Sequence, residues 1–316
     1  MDVDADRVTP RVRRSSGRAR IRAGFSLAEL LATMTLLGLV GAMCAKLMMG
    51  QQRFYHRQNE QVGVRRELRT AMSLIPADLR GVSSSGGDIT ALAETGLTFR
   101  NVLGASIVCA KPDNSTLHLP PLNMAKSTLT AWYTEPVAGD SVFAFDEGML
   151  RGAEDDAWVA RVITGVSPDA ALCPASPYTD ALDAGKSRWR VTVTPAFPDS
   201  VKIGAAVRFM RSTRYSLGAQ ASGKYYLSRA EYTGGGWTAP IPVSGPYDAP
   251  ASGKNGVQFR YFDSTGVQVT SVADSRRVAR IDLVLRATGA STSGDLGTGR
   301  AVKDSLAFRI ALRNRQ

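Results

Sequence analysis

The chain is poor in the residues that hydrolytic and metal-dependent enzymes use for chemistry. Its 316 residues include only two histidines, His56 and His118, and three cysteines. A zinc site needs three or four nitrogen or sulfur ligands close together, which this supply barely allows. The stretch from Gly218 to Lys224 begins like a phosphate loop, but Tyr225 stands where such a loop needs Ser or Thr. We therefore expect no enzyme, no metal site and no cofactor.

Charge is abundant but unevenly distributed. The formal net charge is +11, and the segment 1–24 carries +4 of it, with seven arginines against three aspartates. The remaining basic residues are scattered among acidic ones without forming a stripe, so DNA is retained only as an alternative partner. Basic residues that precede an apolar segment favour the cytoplasmic side of a membrane, which explains the arginines better. The apolar content of 44% is enough for a folded core.

Residues 25–45 form an apolar run of membrane-spanning length that contains a single charge, Glu29. A helix of about 20 residues spans about 30 Å, the thickness of a bilayer core. A secretory signal peptide would have a shorter run and an A-x-A site, and the residue before Cys44 is bulky for a lipoprotein site. A plain signal anchor is a third alternative. None of the three explains Glu29, because a carboxylate inside an apolar segment costs about 2.5–3.5 kcal/mol.

The residues Gly24-Phe25-Ser26-Leu27-Ala28-Glu29 resemble the type III signal of type IV prepilins and pseudopilins. The resemblance implies that a prepilin peptidase cuts after Gly24 and that Phe25 becomes a methylated N-terminus. It also implies an assembly salt bridge at Glu29. The physical logic agrees, because cleavage leaves a cationic α-amino group, and the carboxylate of a neighbouring subunit attracts that cation strongly in an apolar setting.

The helix is expected to continue beyond the membrane, as far as residue 80. Apolar residues recur there at helical spacing, and Pro76 marks either the last turn or a kink. The residues of this expected half-buried face are Val64, Leu68, Met72, Ile75 and Leu79. We predict three regions: a basic leader at 1–24 that is cleaved, a transmembrane and assembly helix at 25–80, and a periplasmic β-rich head at 81–316.

After a turn-rich linker at 81–87, short β-like runs alternate with turn signals. The expected strands are 97–103, 106–109, 129–133, 141–145, 158–164, 188–194, 206–217, 224–232, 257–262, 278–286 and 305–312. Segments 110–128 and 165–187 are expected to be long loops. The predicted fold class is α+β, with a long N-terminal membrane-spanning helix packed on a mainly antiparallel sheet, as in pilins.

The strand patterns of the final third are similar to those of PilW-like minor pilins and GspJ-like minor pseudopilins. The residues that carry this similarity are 257–263 with Gly266, 278–285 and 308–314. The resemblance implies a minor subunit that sits first in the bacterial inner membrane with its head in the periplasm. It then joins a pilus, a pseudopilus or a priming or tip complex through contacts with other pilins. A DNA-uptake or adhesion tip module and a signal-anchored periplasmic enzyme remain the alternatives.

The cysteines fit an exported head. Cys109 and Cys173 lie in the part that would be exported, where an oxidising compartment permits a disulfide. Such a bridge would close a loop of about 65 residues and contribute roughly 4 kcal/mol in the chain-entropy model. The alternative is two free thiols in separate strands. Cys44 lies within the apolar run and is interpreted as a small packing residue.

Overall fold

The computed structural model describes Gly24 and residues 26–148, 155–174, 177–251, 254–289 and 302–312. It contains one long helix, α1 (Leu27–Leu79), and a large antiparallel β-sheet. The expected α+β class, with a long apolar N-terminal helix, is therefore confirmed at this coarse level. The chain divides into two compact units, of which the first ends at Phe54 and the second begins at Tyr55.

In the second unit, one face of α1 packs on the sheet. Its buried residues are Val64, Leu68, Ala71, Ile75 and Leu79. The expected face is thus correct except at Met72, which is 43% exposed. A helix turns about 100° per residue, so Ala71 lies about 40° around the helix from Ile75 in the middle of this face, whereas Met72 lies about 60° away on the other side. Pro76 lies in the last turn of α1.

The described residues form sixteen strands. In chain order they are β1 (Ile89–Ala93), β2 (Gly96–Ile107), β3 (Ala110–Asp113), β4 (Thr116–Leu119), β5 (Ala131–Trp132), β6 (Ser141–Asp146), β7 (Ala157–Asp169), β8 (Arg188–Thr194), β9 (Ala206–Ala219), β10 (Tyr225–Thr233), β11 (Gly236–Trp237), β12 (Ile241–Tyr247), β13 (Val257–Phe262), β14 (Gln268–Val269), β15 (Arg280–Thr288) and β16 (Lys303–Ala311). Two short 3-10 helices, Ala181–Asp183 and Val272–Arg277, complete the described secondary structure.

Strand β9 is the centre of the sheet. It pairs with β2 along almost its whole length on one edge. On the other edge it pairs with β6 through its first half and with β10 through its second half. From β6 the sheet continues through β7, β8, β4 and β3, and from β10 it continues to β12, β15, β13 and β14. All of these strand pairs are antiparallel.

The sheet supports two hydrophobic cores. The first, called the helix core here, joins the buried face of α1 to residues of the second half of β9 and of β12, β13 and β15, with Ile75, Phe99, Tyr215 and Phe259 among its large members. The second core lies among β4, β6, β8 and the first half of β9, and Phe209 belongs to it. Strand β15 shows the expected alternation, with Ile281 and Leu283 buried in the helix core.

The structure corrects several strand predictions. The segment 110–128, expected to be a loop, contains β3 and β4, and β7 extends to Asp169 inside the second expected loop. The two strands expected at 97–103 and 106–109 are one strand, β2, with an irregularity in its register between Val102 and Gly104.

Strand β12 was missed because of its composition. It contains Pro242, Gly245 and Pro246, which normally indicate a turn rather than a strand. The strand pairs regularly with β10 only in part, and its register shifts twice. Pairing with neighbouring strands, which the local sequence does not encode, holds it in the sheet.

Candidate functional site

Ser26 directly precedes the long helix α1 and caps its first turn. Its backbone carbonyl accepts the N–H of Leu30 at 3.1 Å, and its Oγ accepts the N–H of Glu29 at 3.2 Å. Ser is among the best N-cap residues, and an acidic residue three positions later completes the spacing of a capping box. Gly24 therefore lies on exposed backbone just before the helix, where an added Cβ would meet nothing within 4 Å. Phe25 lies outside the described residues.

Glu29 occupies the first turn of α1 and is exposed. The positive end of the helix dipole favours a carboxylate in this turn. No described residue forms a salt bridge with Glu29. The helix dipole and the capping-box spacing thus explain this carboxylate locally. A test of any role in assembly must therefore leave the cap of the helix unchanged.

The first unit presents apolar side chains on every side of the helix. The most apolar 18-residue window of α1 has a mean hydropathy of 1.8, and none of that window is buried. Leu27, Met34 and Leu37 are between 64% and 80% exposed. By length and composition, this part of the chain suits a membrane anchor or a signal sequence.

Cys109 and Cys173 are joined in a disulfide, with a Cα–Cα distance of 5.7 Å. Both side chains are buried. The bond connects the segment between β2 and β3 to the segment that follows β7. Cys44 is free and exposed on α1.

A chain of charged side chains fastens the end of α1 to the sheet. Asp78 of α1 accepts hydrogen bonds from the hydroxyl of Tyr215 at 2.7 Å and from Nε of Arg229 at 3.2 Å. Arg229 also pairs with Glu231, which in turn pairs with Arg211 at 3.1 Å. Because Tyr215 is fully buried and lies beside a carboxylate, its pKa is raised well above the ordinary value.

Arg211 extends this chain of charged side chains to Asp140. It donates to both carboxylate oxygens of Asp140, each at 2.8 Å, and is only 7% exposed. The two hydrogen bonds to Asp140 hold the pKa of Arg211 above its usual range. Removing one partner of such a buried pair would leave an uncompensated charge, which typically destabilises a fold by about 3–5 kcal/mol.

A group of arginines that was not predicted from the sequence lies on the opposite face of the sheet. Arg100, Arg208 and Arg214 each lie over an aromatic ring, those of Phe143, Trp158 and Trp237 respectively. The sequence signal for this group was weak, because only Arg208 and Arg214 share a strand. Arg100 lies on β2, more than a hundred positions earlier in the chain.

The described residues contain no group of three or more histidine, cysteine, aspartate or glutamate side chains able to hold a metal ion. His118 lies on β4, is 6% exposed, and has its Nε2 3.7 Å from Asp169. Burial and the neighbouring Arg188 lower the pKa of His118. His56 lies on α1, so the structure does not bring the two histidines together as a pair of ligands.

No known protein family, curated protein or solved structure matches this chain.

Proposed function

We propose that this protein is a minor type IV pilin-like subunit, processed after Gly24 and assembled through its N-terminal helix into a pilus or a priming or tip complex. The alternative within the same class is a minor pseudopilin of a type II secretion system. The observation that carries the proposal is the prepilin-like segment 24–29, which leads into the first turn of a capped helix whose apolar surface is exposed.

The backbone at Gly24 suits proteolysis. A glycine lets another molecule approach its backbone closely, and Gly24 is exposed and precedes the N-cap. Cleavage there would leave Ser26 as the second residue of the mature chain, so the cap and the helix would be retained. The mature N-terminal amine would then belong to Phe25, four residues before Glu29.

The apolar helix of the first unit supports a role in assembly. Its side chains need a non-aqueous surrounding, which a bilayer supplies before assembly and neighbouring helices supply afterwards. Gly38, Gly41 and Gly50 add to this argument. A glycine in a helix costs up to about 1 kcal/mol relative to alanine, and nothing within 4 Å of these positions requires a bare backbone. Close approach of a helix from another subunit would explain them.

The β-rich second unit would be the periplasmic head. The disulfide between Cys109 and Cys173 is consistent with an oxidising compartment, since such bonds are rare in the cytosol. The buried contacts of α1 with the helix core would hold the head on the helix that enters the fibre.

The first experiment is intact-mass and N-terminal analysis of the protein from its native membrane, in cells with and without prepilin peptidase. We expect a chain that begins at Phe25 with one added methyl group in the first strain, and the full-length chain in the second. Gly24→Val should block cleavage, whereas Gly50→Ala, another exposed position with open space, should be cleaved normally. A chain that keeps residues 1–24 in the presence of active peptidase would favour the signal-anchor alternative.

The second experiment separates the two roles of Glu29. Glu29→Gln keeps the capping-box spacing, because glutamine serves as well as glutamate there, but removes the charge. If Glu29 pairs with the amine of a neighbour, the variant should insert into the membrane and fail to enter fibres. Glu135→Ala, which removes an exposed carboxylate from the head, is the matched control. Normal assembly of Glu29→Gln would show that Glu29 only caps the helix.

A further inference from the structure

The face of the sheet opposite α1 carries a cluster of arginines. The side chain of Tyr215 on β9 points to α1, where its hydroxyl contacts Asp78. Side chains alternate along a strand, so Arg208 and Arg214 of β9 lie on the other face. We call this the outer face. Strand pairing brings Arg100 of β2 opposite Ser212, between the two β9 arginines.

A pocket of about 440 Å³ opens on the outer face. Arg100, Phe143 and Trp158 line it from the sheet, and Arg276 lines it from the 3-10 helix Val272–Arg277. We call this space the outer pocket. Arg208 does not line the pocket itself but stacks on Trp158, with its guanidinium 3.9 Å from the centre of that ring. Arg100 lies over the ring of Phe143 at 5.3 Å.

The positive charge of the outer pocket exceeds the negative charge that the described residues supply. Arg100, Arg208 and Arg276 form no salt bridge with any described residue. Arg100 donates to the carbonyl oxygen of Gly87 at 2.9 Å, and Nε of Arg208 is buried without a hydrogen-bond partner. Burial lowers the pKa of Arg208. A guanidinium that is taken out of water and left unpaired is unfavourable unless another group supplies an anion.

One carboxylate lies nearby, and it is already engaged. Asp88 is 2% exposed, and its Oδ2 accepts the backbone N–H of Ser83 at 2.8 Å. Burial raises the pKa of Asp88, although the backbone hydrogen bond from Ser83 and the charges of Arg208 and Arg100 act in the opposite direction. Even when Asp88 is ionised, its single charge offsets only one of the three guanidinium charges of Arg100, Arg208 and Arg276, which leaves an excess of about +2 among these four groups.

The contrast with the other face is direct. Arg211 lies on the same strand as Arg208, and it has two carboxylate partners, Asp140 and Glu231. Arg211 is therefore fully paired with carboxylates. The arginines of the outer face, Arg100, Arg208 and Arg214, are instead stacked on aromatic rings. Stacking fixes the plane of a guanidinium and leaves its N–H groups free at the edge to bind an oxyanion in a bidentate manner.

We propose that the outer pocket binds a phosphate-type oxyanion. A doubly charged group matches the excess charge, and the volume accommodates a phosphate group with part of the molecule that carries it. The phosphate could be free, or it could belong to a nucleic acid strand, because the arginine row continues beyond the pocket. Arg214, stacked on Trp237 at 4.5 Å, lies six residues along β9 from Arg208, a separation of about 20 Å.

The test uses the full chain in detergent micelles. Calorimetric titration with inorganic phosphate should show saturable binding, and acetate at the same concentration should not. Arg276→Gln should weaken binding about 10-fold, as expected for loss of one charge-assisted hydrogen bond. Arg276 is exposed, so this variant should fold normally. Arg260→Gln, which removes an exposed arginine on β13, is the control and should change binding less than twofold.

Two arms distinguish the sources of the phosphate, and either one supports the proposal. If the ligand is a free ion, phosphate should bind and a single-stranded oligonucleotide should not displace it. If the ligand is a polymer, the oligonucleotide should bind more tightly than phosphate, compete with it and weaken steeply with salt. The proposal is overturned if neither probe binds, if acetate binds as well as phosphate, or if Arg276→Gln and Arg260→Gln have equal effects.

Discussion

Tyr215 offers a sensitive measure of how firmly α1 is attached to the sheet. The ring lies fully buried in the helix core and near that of Phe99, and its hydroxyl donates to the carboxylate of Asp78. Tyr215→Phe removes that hydroxyl and leaves the packing of the ring intact. A hydrogen bond to a charged group contributes about 1.5–3 kcal/mol to stability. We expect the free energy of unfolding to fall by that amount, since Asp78 keeps Arg229 as its second partner.

The assay is urea unfolding of the full chain in detergent, followed by tryptophan fluorescence. Tyr133→Phe is the control, because Tyr133 is 92% exposed. The free energy of unfolding of this variant should lie within about 0.5 kcal/mol of that of the parent. Combining Tyr215→Phe with Asp78→Asn should give a coupling energy on the order of 1 kcal/mol or more. If Tyr215→Phe behaves like Tyr133→Phe, the contact with Asp78 does not hold the helix to the sheet.

Three further predictions concern the same unit of the chain. Ile75→Ala should destabilise it by about 2–5 kcal/mol because Ile75 is fully buried, whereas Met72→Ala on the exposed side should have little effect in the same urea assay. Cys109→Ala should lower stability by about 2–4 kcal/mol under oxidising conditions, and a reductant should then destabilise the parent but not the variant. Burial raises the pKa of Tyr247 from 10.0 to about 12. The free energy of unfolding that the protonated, buried Tyr247 contributes is therefore present below pH 10 and is lost as the pH rises towards 12. A Tm series over that range should fall less steeply for Tyr247→Phe than for the parent.

The strand pattern shows how far local sequence reaches. Residues 188–194 and 257–262 were predicted as strands with the bounds that the structure gives, because apolar and polar residues alternate there between turn signals. Strands β3 and β4 have four residues each, too few for a periodic signal. They are strands because β8 is available to pair with β4.

Contacts between distant residues were beyond the reach of the sequence. The sequence left the pairing of Cys109 with Cys173 open, and the fold brings them together across 64 positions. The charged chain from Asp78 to Asp140 combines residues of α1, β9 and β10 with Asp140, which directly precedes β6. No local pattern marks its members as partners, because each looks like an ordinary charged surface residue until the sheet is assembled.

The sequence by itself determined the long apolar helix to within two residues of its ends, the position of Glu29 near its start and the mainly antiparallel character of the remainder. These features depend on composition and on spacing along a few turns or one strand, so neighbours in the chain are sufficient to specify them. The tertiary structure alone decided the order of the strands, the disulfide, and the two faces of β9. Arg211 lies on one face with two carboxylates, and Arg208 lies on the other beside the outer pocket. A change of one position along a strand reverses the face of a side chain, and only the packing of the whole sheet determines what each face meets.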